Sequence, residues 1–183
     1  ECSFGDDDNA AAILGCPVDD GLYFDMDGTI AKWRDVPVEE SRKPGYYTDL
    51  EPETELLDFL GAALKADENM NILSSYYTDT RALLEKKKWL DKYLPGISSS
   101  HCLFVPYGEN KAEFVETMLH RKLGKMDILV DDHTPNLKRW ETAGGTGVKW
   151  LNGINGKNGR FEGIRVGSVK ELKAAFDEIE DRK

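Results

Sequence analysis

The sequence is poor in cysteine and histidine, with three residues of each among 183. Cys2, Cys16 and Cys102 form no CxxC pair and are odd in number, so the pattern is not that of a disulfide framework and favours a reducing cytoplasm. No cluster of His and Cys has the spacing of zinc ligands. These shortages argue against a disulfide-stapled fold and against a zinc site.

Long hydrophobic runs and an excess of basic residues are also absent. No apolar stretch approaches the roughly 20 residues of a membrane-spanning helix, and the first residues lack the basic n-region of a signal peptide. We therefore expect a cytoplasmic protein with no membrane partner. The formal net charge of -10 disfavours nucleic acid as a partner, because a phosphate backbone is bound by surplus Lys and Arg. The GxxxxGK[ST] loop of P-loop nucleotide hydrolases is missing too.

The alternation of strand and helix signals predicts a single α/β domain over residues 1–183, of which residues 1–20 form an N-terminal extension. Such alternation is typical of a doubly wound (Rossmann-like) parallel sheet with helices on both faces. Strands are predicted at 22–25, 71–73, 101–105, 128–130 and 147–151. Five helices are predicted. The first begins at 51–53, and the second is capped at 78–79 and has an apolar face formed by Leu83, Leu84, Leu90 and Leu94. The third and fourth span 109–123 and 136–142, and the last follows Ser168.

The most informative stretch is GLYFDMDGTIAKW, residues 21–33. An apolar run ends in Asp25 and Asp27, and Gly28 then allows a sharp turn. Carboxylates at the end of a buried strand are costly unless a cation or a reaction requires them. Ligands of open α/β sheets bind at the carboxyl ends of the strands. We therefore interpret this acidic pair as the centre of an active site, against the alternative of an ordinary acidic turn.

Residues 32–50 follow this stretch and are predicted to be irregular, because Pro37, Pro44 and Gly45 break any helix. We call them the cap segment, since they are placed to lean over the strand ends. The segment mixes basic and aromatic side chains, which suits a ligand with a phosphate and a ring. The alternative is a solvated loop with aromatic residues packed beneath it. The candidate ligand-binding residues are Lys32, Trp33, Tyr46 and Tyr47.

Four features fall at predicted strand ends or helix starts, in the order Asp25-x-Asp27-Gly28-Thr29, Ser74, Lys111 and Asp131-Asp132. Each alone is typical of a turn, a cap or a solvated charge. Together they fit phosphoryl transfer, which needs a nucleophile, cations and a proton source. Asp25 would be the nucleophile, Asp27 the acid and base, and the second acidic pair would help to hold Mg²⁺.

The fragments DMDGT, LSS, NK and DD resemble, in this order, the four motifs of the haloacid dehalogenase (HAD) superfamily of phosphohydrolases, over roughly residues 22–166. Response-regulator receivers use similar residues in another order. The resemblance implies an aspartyl-phosphate on Asp25. It implies Mg²⁺ held by Asp25, the backbone carbonyl of Asp27, and Asp131 or Asp132. Phosphate-binding residues would be Gly28, Thr29, Ser74, Ser75 and Lys111.

Within that superfamily the sequence looks most like the 5'(3')-deoxyribonucleotidase and cytosolic type C 5'-nucleotidase group. The similarity lies in DMDGTIAKW, FVPYGENKAEF, ILVDDHTPNLKRWE and LNGING. The resemblance implies that Trp33 stacks on a nucleobase. Members of the group often carry Val where this chain has Thr29, so nucleotide specificity does not follow from the motif.

We therefore expect a Mg²⁺-dependent phosphomonoesterase that acts on a small phosphate ester, in the first place a nucleoside monophosphate. Two alternatives stay open: a phosphatase for another metabolite such as a sugar phosphate, and a non-catalytic protein that binds phosphate or Mg²⁺. A phosphatase for nucleic-acid ends is disfavoured by the acidic charge. His133 is interpreted as a polar loop residue, and a homodimer is left open.

Overall fold

The computed structural model describes residues 21–66, 69–155 and 161–181, and the strands of these residues form one parallel sheet in the order β3-β2-β1-β4-β5-β6. The strands are β1 (Leu22–Phe24), β2 (Met70–Tyr76), β3 (Cys102–Pro106), β4 (Ile128–Asp131), β5 (Thr146–Trp150) and β6 (Ile164–Val166). The helices are α1 (Thr54–Lys65), α2 (Ala82–Tyr93), α3 (Lys111–Leu119), α4 (Thr134–Thr142) and α5 (Val169–Glu180). The predicted N-terminal extension lies outside the described residues.

Helices cover both faces of the sheet, as predicted. Side chains of a strand alternate between faces, so the neighbours Tyr23 and Phe24 enter different hydrophobic clusters. Phe24 packs in the cluster that α1, α2 and α5 supply, whereas Tyr23 packs with residues of α3 and α4, including Trp140. The doubly wound α/β fold is thus confirmed.

The strand order places β1 at the point where the chain changes direction across the sheet. The chain builds β2 and β3 on one side of β1 and then returns to build β4, β5 and β6 on the other. Connections that diverge from this point leave a crevice at the carboxyl ends of β1 and β4, where ligands of doubly wound sheets bind. The predicted acidic residues after β1 and at the end of β4 therefore lie on the two sides of one crevice.

Several predicted element boundaries were wrong. Ser74 and Ser75 lie inside β2, because the β2–β3 ladder continues to the pair of Tyr76 and Pro106. Helix α2 starts at Ala82, not at Thr78 or Asp79, and the Thr80 hydroxyl accepts a hydrogen bond from the Ala82 backbone. Strand β6 was not predicted, because its three residues are flanked by glycine and too short to give a periodic pattern.

The apolar face predicted for α2 was also wrong in part. Leu84 is 48% exposed, whereas Glu85 and Lys86 are buried together with Trp89. The helix turns these polar residues inward because they bind the cap segment and the strand ends. Glu85 accepts hydrogen bonds from the backbone amides of Gly45 (2.7 Å) and Tyr47 (3.2 Å).

The cap segment is largely irregular and includes a 3-10 helix at Val38–Arg42. Besides the Glu85 contacts, the indole of Trp89 donates to the Leu50 carbonyl at 2.8 Å. Helix α2 thereby fixes the cap segment beside the crevice. Among the described residues, no helix combines the length and the apolar character needed to cross a bilayer.

Candidate active site

Asp25 follows β1 directly and is 6% exposed. Its backbone amide donates to the Val130 carbonyl at 2.9 Å, so the chain remains attached to β4 as it leaves the strand. The next residues form a tight turn in which the Gly28 and Ala31 amides bond to the Ala31 and Met26 carbonyls, respectively. The turn aims the Asp25 and Asp27 side chains into the cleft, which both residues line.

Gly28 is required in this turn for two reasons. Its φ of +80° lies in the region that favours glycine. A Cβ at this position would also lie 2.3 Å from Oδ2 of Asp132. The amides of Gly28 and Thr29 are used within the turn, where they donate to the Ala31 and Met26 carbonyls. The structure therefore places Gly28 as the residue that lets β1 and the acidic end of β4 come together.

Lys111 is the first residue of α3 and joins the two acidic strand ends. Its Nζ lies 2.7 Å from Oδ1 of Asp25 and 2.8 Å from Oδ2 of Asp131, and it is 2% exposed. Burial alone would lower the pKa of Lys111, but the carboxylates of Asp131 and Asp25 outweigh it and raise the pKa. Lys111 thus places a positive charge between the two carboxylates.

Asp131 and Asp132 have different surroundings. Asp131 is fully buried and accepts hydrogen bonds from Lys111, from the side chain of Asn136 at 2.9 Å and from the His133 amide at 2.7 Å. Asp132 is half-buried and lines the cleft, where Asn152 donates to its Oδ2 at 3.0 Å. The first acid is thus fixed by the protein, and the second faces the open space.

The side chain of Asn152 connects the glycine-rich loop after β5 to the acidic turn. Its amide nitrogen donates both to Asp132 and to the Gly28 carbonyl, at 3.0 and 2.9 Å. Asn155 supports this loop by donating to the backbone carbonyls of Asp132 and Trp150. Residues 156–160, which complete the turn-rich stretch of the sequence, lie outside the described residues.

Asp25, Asp131 and Asp132 could hold a metal ion, since one carboxylate oxygen of each lies within 4.8 Å of the others. Burial and then Asp131 raise the pKa of Asp25, while Lys111 opposes the shift. Burial, Asp131 and Asp25 likewise raise the pKa of Asp132. Burial and the neighbouring carboxylates thus both disfavour the ionised forms of these acids, and a bound cation would offset that cost.

A count of charges leads to the same conclusion. Six charged groups cluster at the strand ends: four carboxylates (Asp25, Asp27, Asp131 and Asp132) and two ammonium groups (Lys86 and Lys111), a formal excess of two negative charges. Of the other residues that line the cleft, Glu109 and Arg139 carry opposite charges that cancel. Oδ1 of Asp27 and the hydroxyl of Thr29 are buried without a hydrogen-bond partner among the described residues. A hard divalent cation with oxygen ligands fits this set of donors.

Lys86 is a buried charged residue of this site that the sequence analysis missed. It is 0% exposed, and its Nζ binds Asp27, the Ser74 hydroxyl at 2.9 Å and the Ser75 carbonyl at 2.7 Å. The same ammonium group lies 4.6 Å from the ring centroid of Tyr47. The available sequence signal was that Lys86 lies three residues before Trp89, a spacing that places both side chains on one face of a helix. Lys86 also belongs to a run of three lysines, however, and such a run is typical of a solvated helix surface.

The cleft around these groups has a volume of about 490 Å³. Of the residues predicted to bind phosphate, Ser75 and Lys111 line it, whereas Ser74, Gly28 and Thr29 lie behind its surface. Of those predicted to bind the remainder of the ligand, Trp33 and Tyr47 line it and Tyr46 and Lys32 do not. Tyr46 instead packs edge-on against Trp33, with ring centroids 5.6 Å apart.

The rest of the cleft wall was not predicted. Tyr76, Tyr77 and Tyr107 contribute one aromatic side, and His133, Asn136 and Arg139 contribute polar side chains. Each tyrosine follows or ends a strand, but the sequence alone does not show which strand ends are neighbours.

In comparisons with known proteins, no protein-family model and no curated protein matches this sequence. Solved structures do match. The D,D-heptose 1.7-bisphosphate phosphatase from B. bronchiseptica, complexed with magnesium and phosphate, has a TM-score of 0.63 at 14% identity, over 90% of this chain and 99% of that chain. A HAD family hydrolase from Deinococcus radiodurans R1, with bound phosphate and sodium, has a TM-score of 0.62 at 14% identity, over 88% and 96% of the two chains.

A HAD-superfamily hydrolase from Ehrlichia chaffeensis is similar at a TM-score of 0.57 and 8% identity, over 87% of this chain and 97% of that chain. At these identities the likeness concerns the fold. The chain therefore has the doubly wound fold of these HAD-superfamily hydrolases, with a buried acidic and basic site at the crevice of its sheet.

Proposed function

We propose that this protein is a Mg²⁺-dependent phosphomonoesterase in which Asp25 is the nucleophile. The observation that carries this proposal is the bridge formed by Lys111 between Asp25 and Asp131, at 2.7 and 2.8 Å, in a crevice that Asp132 also faces. A carboxylate, a fixed cation and a set of metal ligands thereby converge at the carboxyl ends of β1 and β4. The fold shared with a phosphatase whose structure holds magnesium and phosphate, and with a HAD family hydrolase whose structure holds phosphate, supports the proposal.

The reaction has two balanced steps. In the first, a carboxylate oxygen of Asp25 bonds to phosphorus, the ester P–O bond breaks, and Asp27 gives its proton to the departing oxygen. In the second, a water oxygen attacks phosphorus, the acyl-phosphate P–O bond breaks, and Asp27 takes the proton of that water. Inorganic phosphate leaves, and both carboxyl groups return to their starting states.

The main requirement of the proposed reaction is to offset the repulsion between the Asp25 carboxylate and the negatively charged phosphate. A carboxylate and a singly charged phosphate oxygen repel each other by about 4 kcal/mol at about 4 Å and an effective dielectric of about 20. Lys111 offsets part of this repulsion from its position beside Asp25. Mg²⁺ held by Asp25, Asp131 or Asp132 and the Asp27 carbonyl would supply further positive charge at the phosphoryl group.

Lys86 and the two serines of β2 complete the phosphate side of the site. Lys86 orients the Asp27 carboxylate by binding it. Its ammonium group, the second positive charge of the site, also binds the Ser74 hydroxyl. Ser75 borders the cleft itself. We propose that Ser75 contacts the phosphoryl oxygens, that Lys86 and Ser74 support it from behind the cleft surface, and that the turn at Gly28 and Thr29 positions Asp25 and Asp27 beside them.

The proposed substrate is a nucleoside monophosphate. A cleft of about 490 Å³ is larger than a phosphate group requires and lies within the usual range of small-molecule sites. Trp33 lines it and packs against Tyr46, so an aromatic surface is available to the part of the ester beyond the phosphate. This surface favours a ring-bearing ester over a sugar phosphate.

The proposal is tested by phosphate release from ribo- and deoxynucleoside monophosphates and from sugar phosphates, with Mg²⁺ and with EDTA. We expect Mg²⁺-dependent release from the nucleotides. Asp25→Asn, which keeps the side-chain shape and removes the nucleophile, should lower kcat by at least about 1,000-fold. Asp35→Asn makes the same change at an exposed residue of the cap segment and should leave kcat unaltered.

Three results would change the proposal. Release from sugar phosphates alone would keep the mechanism and discard the nucleotide. Near-normal activity of Asp25→Asn would refute the nucleophile. Mg²⁺ binding by calorimetry without release of phosphate from any ester would favour a non-catalytic binding protein.

A further inference from the structure

Two tyrosines meet at the mouth of the cleft, at the carboxyl ends of neighbouring strands. Tyr77 follows β2 and Tyr107 follows β3, and the Tyr107 amide donates to the Tyr76 carbonyl at 2.8 Å. The register of the two strands thus brings the rings together, with centroids 4.8 Å apart and planes inclined by 46°. Both rings line the cleft that contains Asp25 and Asp27.

The tyrosine pair is fixed by contacts on its Tyr77 side and exposed to solvent at Tyr107. The guanidinium carbon of Arg42 lies 4.5 Å from the centroid of the Tyr77 ring, and Arg42 forms an ion pair with Asp79 at 2.5 Å. Tyr107 nevertheless remains 68% exposed. A large ring that is exposed and yet fixed on one side offers a stacking surface at a low cost in conformational entropy.

The other groups around the cleft define what would lie on this surface. The phosphoryl group is expected beside Asp25 and Lys111, in the depth of the cleft, so the remainder of the ester extends towards the mouth. There the tyrosine pair offers a flat apolar surface, and the guanidinium group of Arg139, which also lines the cleft, offers hydrogen-bond donors. A planar heteroaromatic ring combines the face and the polar edge that these groups can bind.

We propose that Tyr107, supported by Tyr77, forms a stacking subsite for a planar ring of the substrate, and that this subsite makes the cleft selective for ring-bearing phosphate esters. The inference rests on the proposed phosphatase function for the position of the phosphate. It differs from the expectation for Trp33, because the tyrosine pair lies on the strand ends of the sheet and not in the cap segment.

The test compares two ligands that differ only by the ring. Adenosine 5'-monophosphate and ribose 5-phosphate are titrated by calorimetry, with Mg²⁺, into protein that carries Asp25→Asn so that neither ligand is consumed. With Tyr107 intact, we expect the nucleotide to bind more tightly. Tyr107→Ala should weaken the nucleotide roughly 5- to 30-fold and ribose 5-phosphate less than about 2-fold.

Tyr107→Phe is the matched control, since it keeps the ring and should retain nucleotide affinity within about 2-fold. Equal affinity of the two ligands with Tyr107 intact, or equal losses for both in Tyr107→Ala, would overturn the subsite. The phosphatase proposal fails separately, if protein with Asp25 intact releases no phosphate while the ring-dependent difference in binding persists.

Discussion

Lys111 and Lys86 reach the same crevice from two different regions of the fold. Lys111 opens α3 at the carboxyl edge of the sheet and lies between Asp25 and Asp131. Lys86 lies in the interior of α2 and reaches Asp27 and the serines of β2 from the side. Both ammonium groups are nearly or fully inaccessible to solvent.

The partners of the two lysines differ, and so should their roles. Lys111 contacts two buried carboxylates and therefore mainly compensates charge. Lys86 contacts one partly exposed carboxylate, a hydroxyl and a carbonyl, and so mainly fixes the positions of Asp27 and β2. Removing one partner of such an ion pair leaves a buried charge unpaired, which costs free energy of folding.

The largest effect is expected for Lys111→Met. This change removes the cation next to Asp25, the proposed nucleophile, and we expect kcat to fall by roughly 1,000-fold for every substrate, because removing one group that stabilises transition-state charge costs about 100- to 1,000-fold. Stopped assays of phosphate release at saturating Mg²⁺ measure it. Lys138→Met, at an exposed residue of α4, is the matched control.

Loss of structure must be separated from loss of charge in this experiment. Lys111→Arg keeps the positive charge, and circular dichroism together with thermal melting shows whether each variant folds. A folded Lys111→Met protein with more than about a tenth of the original kcat would contradict the charge-compensating role.

A smaller effect is expected for Lys86→Met, because Asp27 keeps access to the cleft when its ammonium partner is removed. We expect kcat to fall by about 100-fold, with the apolar stem of the side chain preserved. The exposed residue Lys88 of the same helix provides the matched control, Lys88→Met, which should change kcat less than about 2-fold. Equal activity of the two variants would show that Lys86 only supports the structure.

The smallest effect is a pH dependence of stability. Without metal, burial raises the pKa of Asp25 to about 7. The folded protein then holds a proton that the unfolded chain has released, so this group's contribution to the free energy of unfolding falls as pH rises from about 4 to about 7. Mg²⁺ bound at the Asp25 carboxylate would replace that proton, so the rise in Tm that it causes should be larger at about pH 8 than at about pH 5.

Thermal melting with and without Mg²⁺ at the two pH values checks this expectation. KCl at matched ionic strength controls for screening of the surface charges. A Tm increase that is equal at both pH values, or larger in acid, would mean that the ion does not bind at the Asp25 carboxylate.

The fold and the first residues of the site could be predicted from local signals. Alternating strand and helix patterns predicted the doubly wound sheet. The carboxyl ends of parallel strands lie on one edge, so the acids at the ends of the predicted strands 22–25 and 128–130 were expected to meet. Lys111 was found for a similar reason, because it starts a helix at that edge.

Lys86 and the tyrosine pair required the tertiary structure. Residues 86, 89 and 90 share a face of α2, but hydropathy places a lysine outside, since burying an ammonium group costs free energy. Asp27, which offsets that cost, lies 59 residues away in the chain. Tyr77 and Tyr107 likewise meet only through the β2–β3 register.

The sequence by itself thus determined the sheet, its acidic strand ends and the residue types that suit phosphoryl transfer, because periodicity and turn chemistry act over a few neighbouring residues. Only the tertiary structure decided which lysine of 86–88 is buried, which aromatic rings line the cleft and which acid faces it. These outcomes depend on partners brought together from distant parts of the chain, and no local pattern encodes the free energy of such contacts.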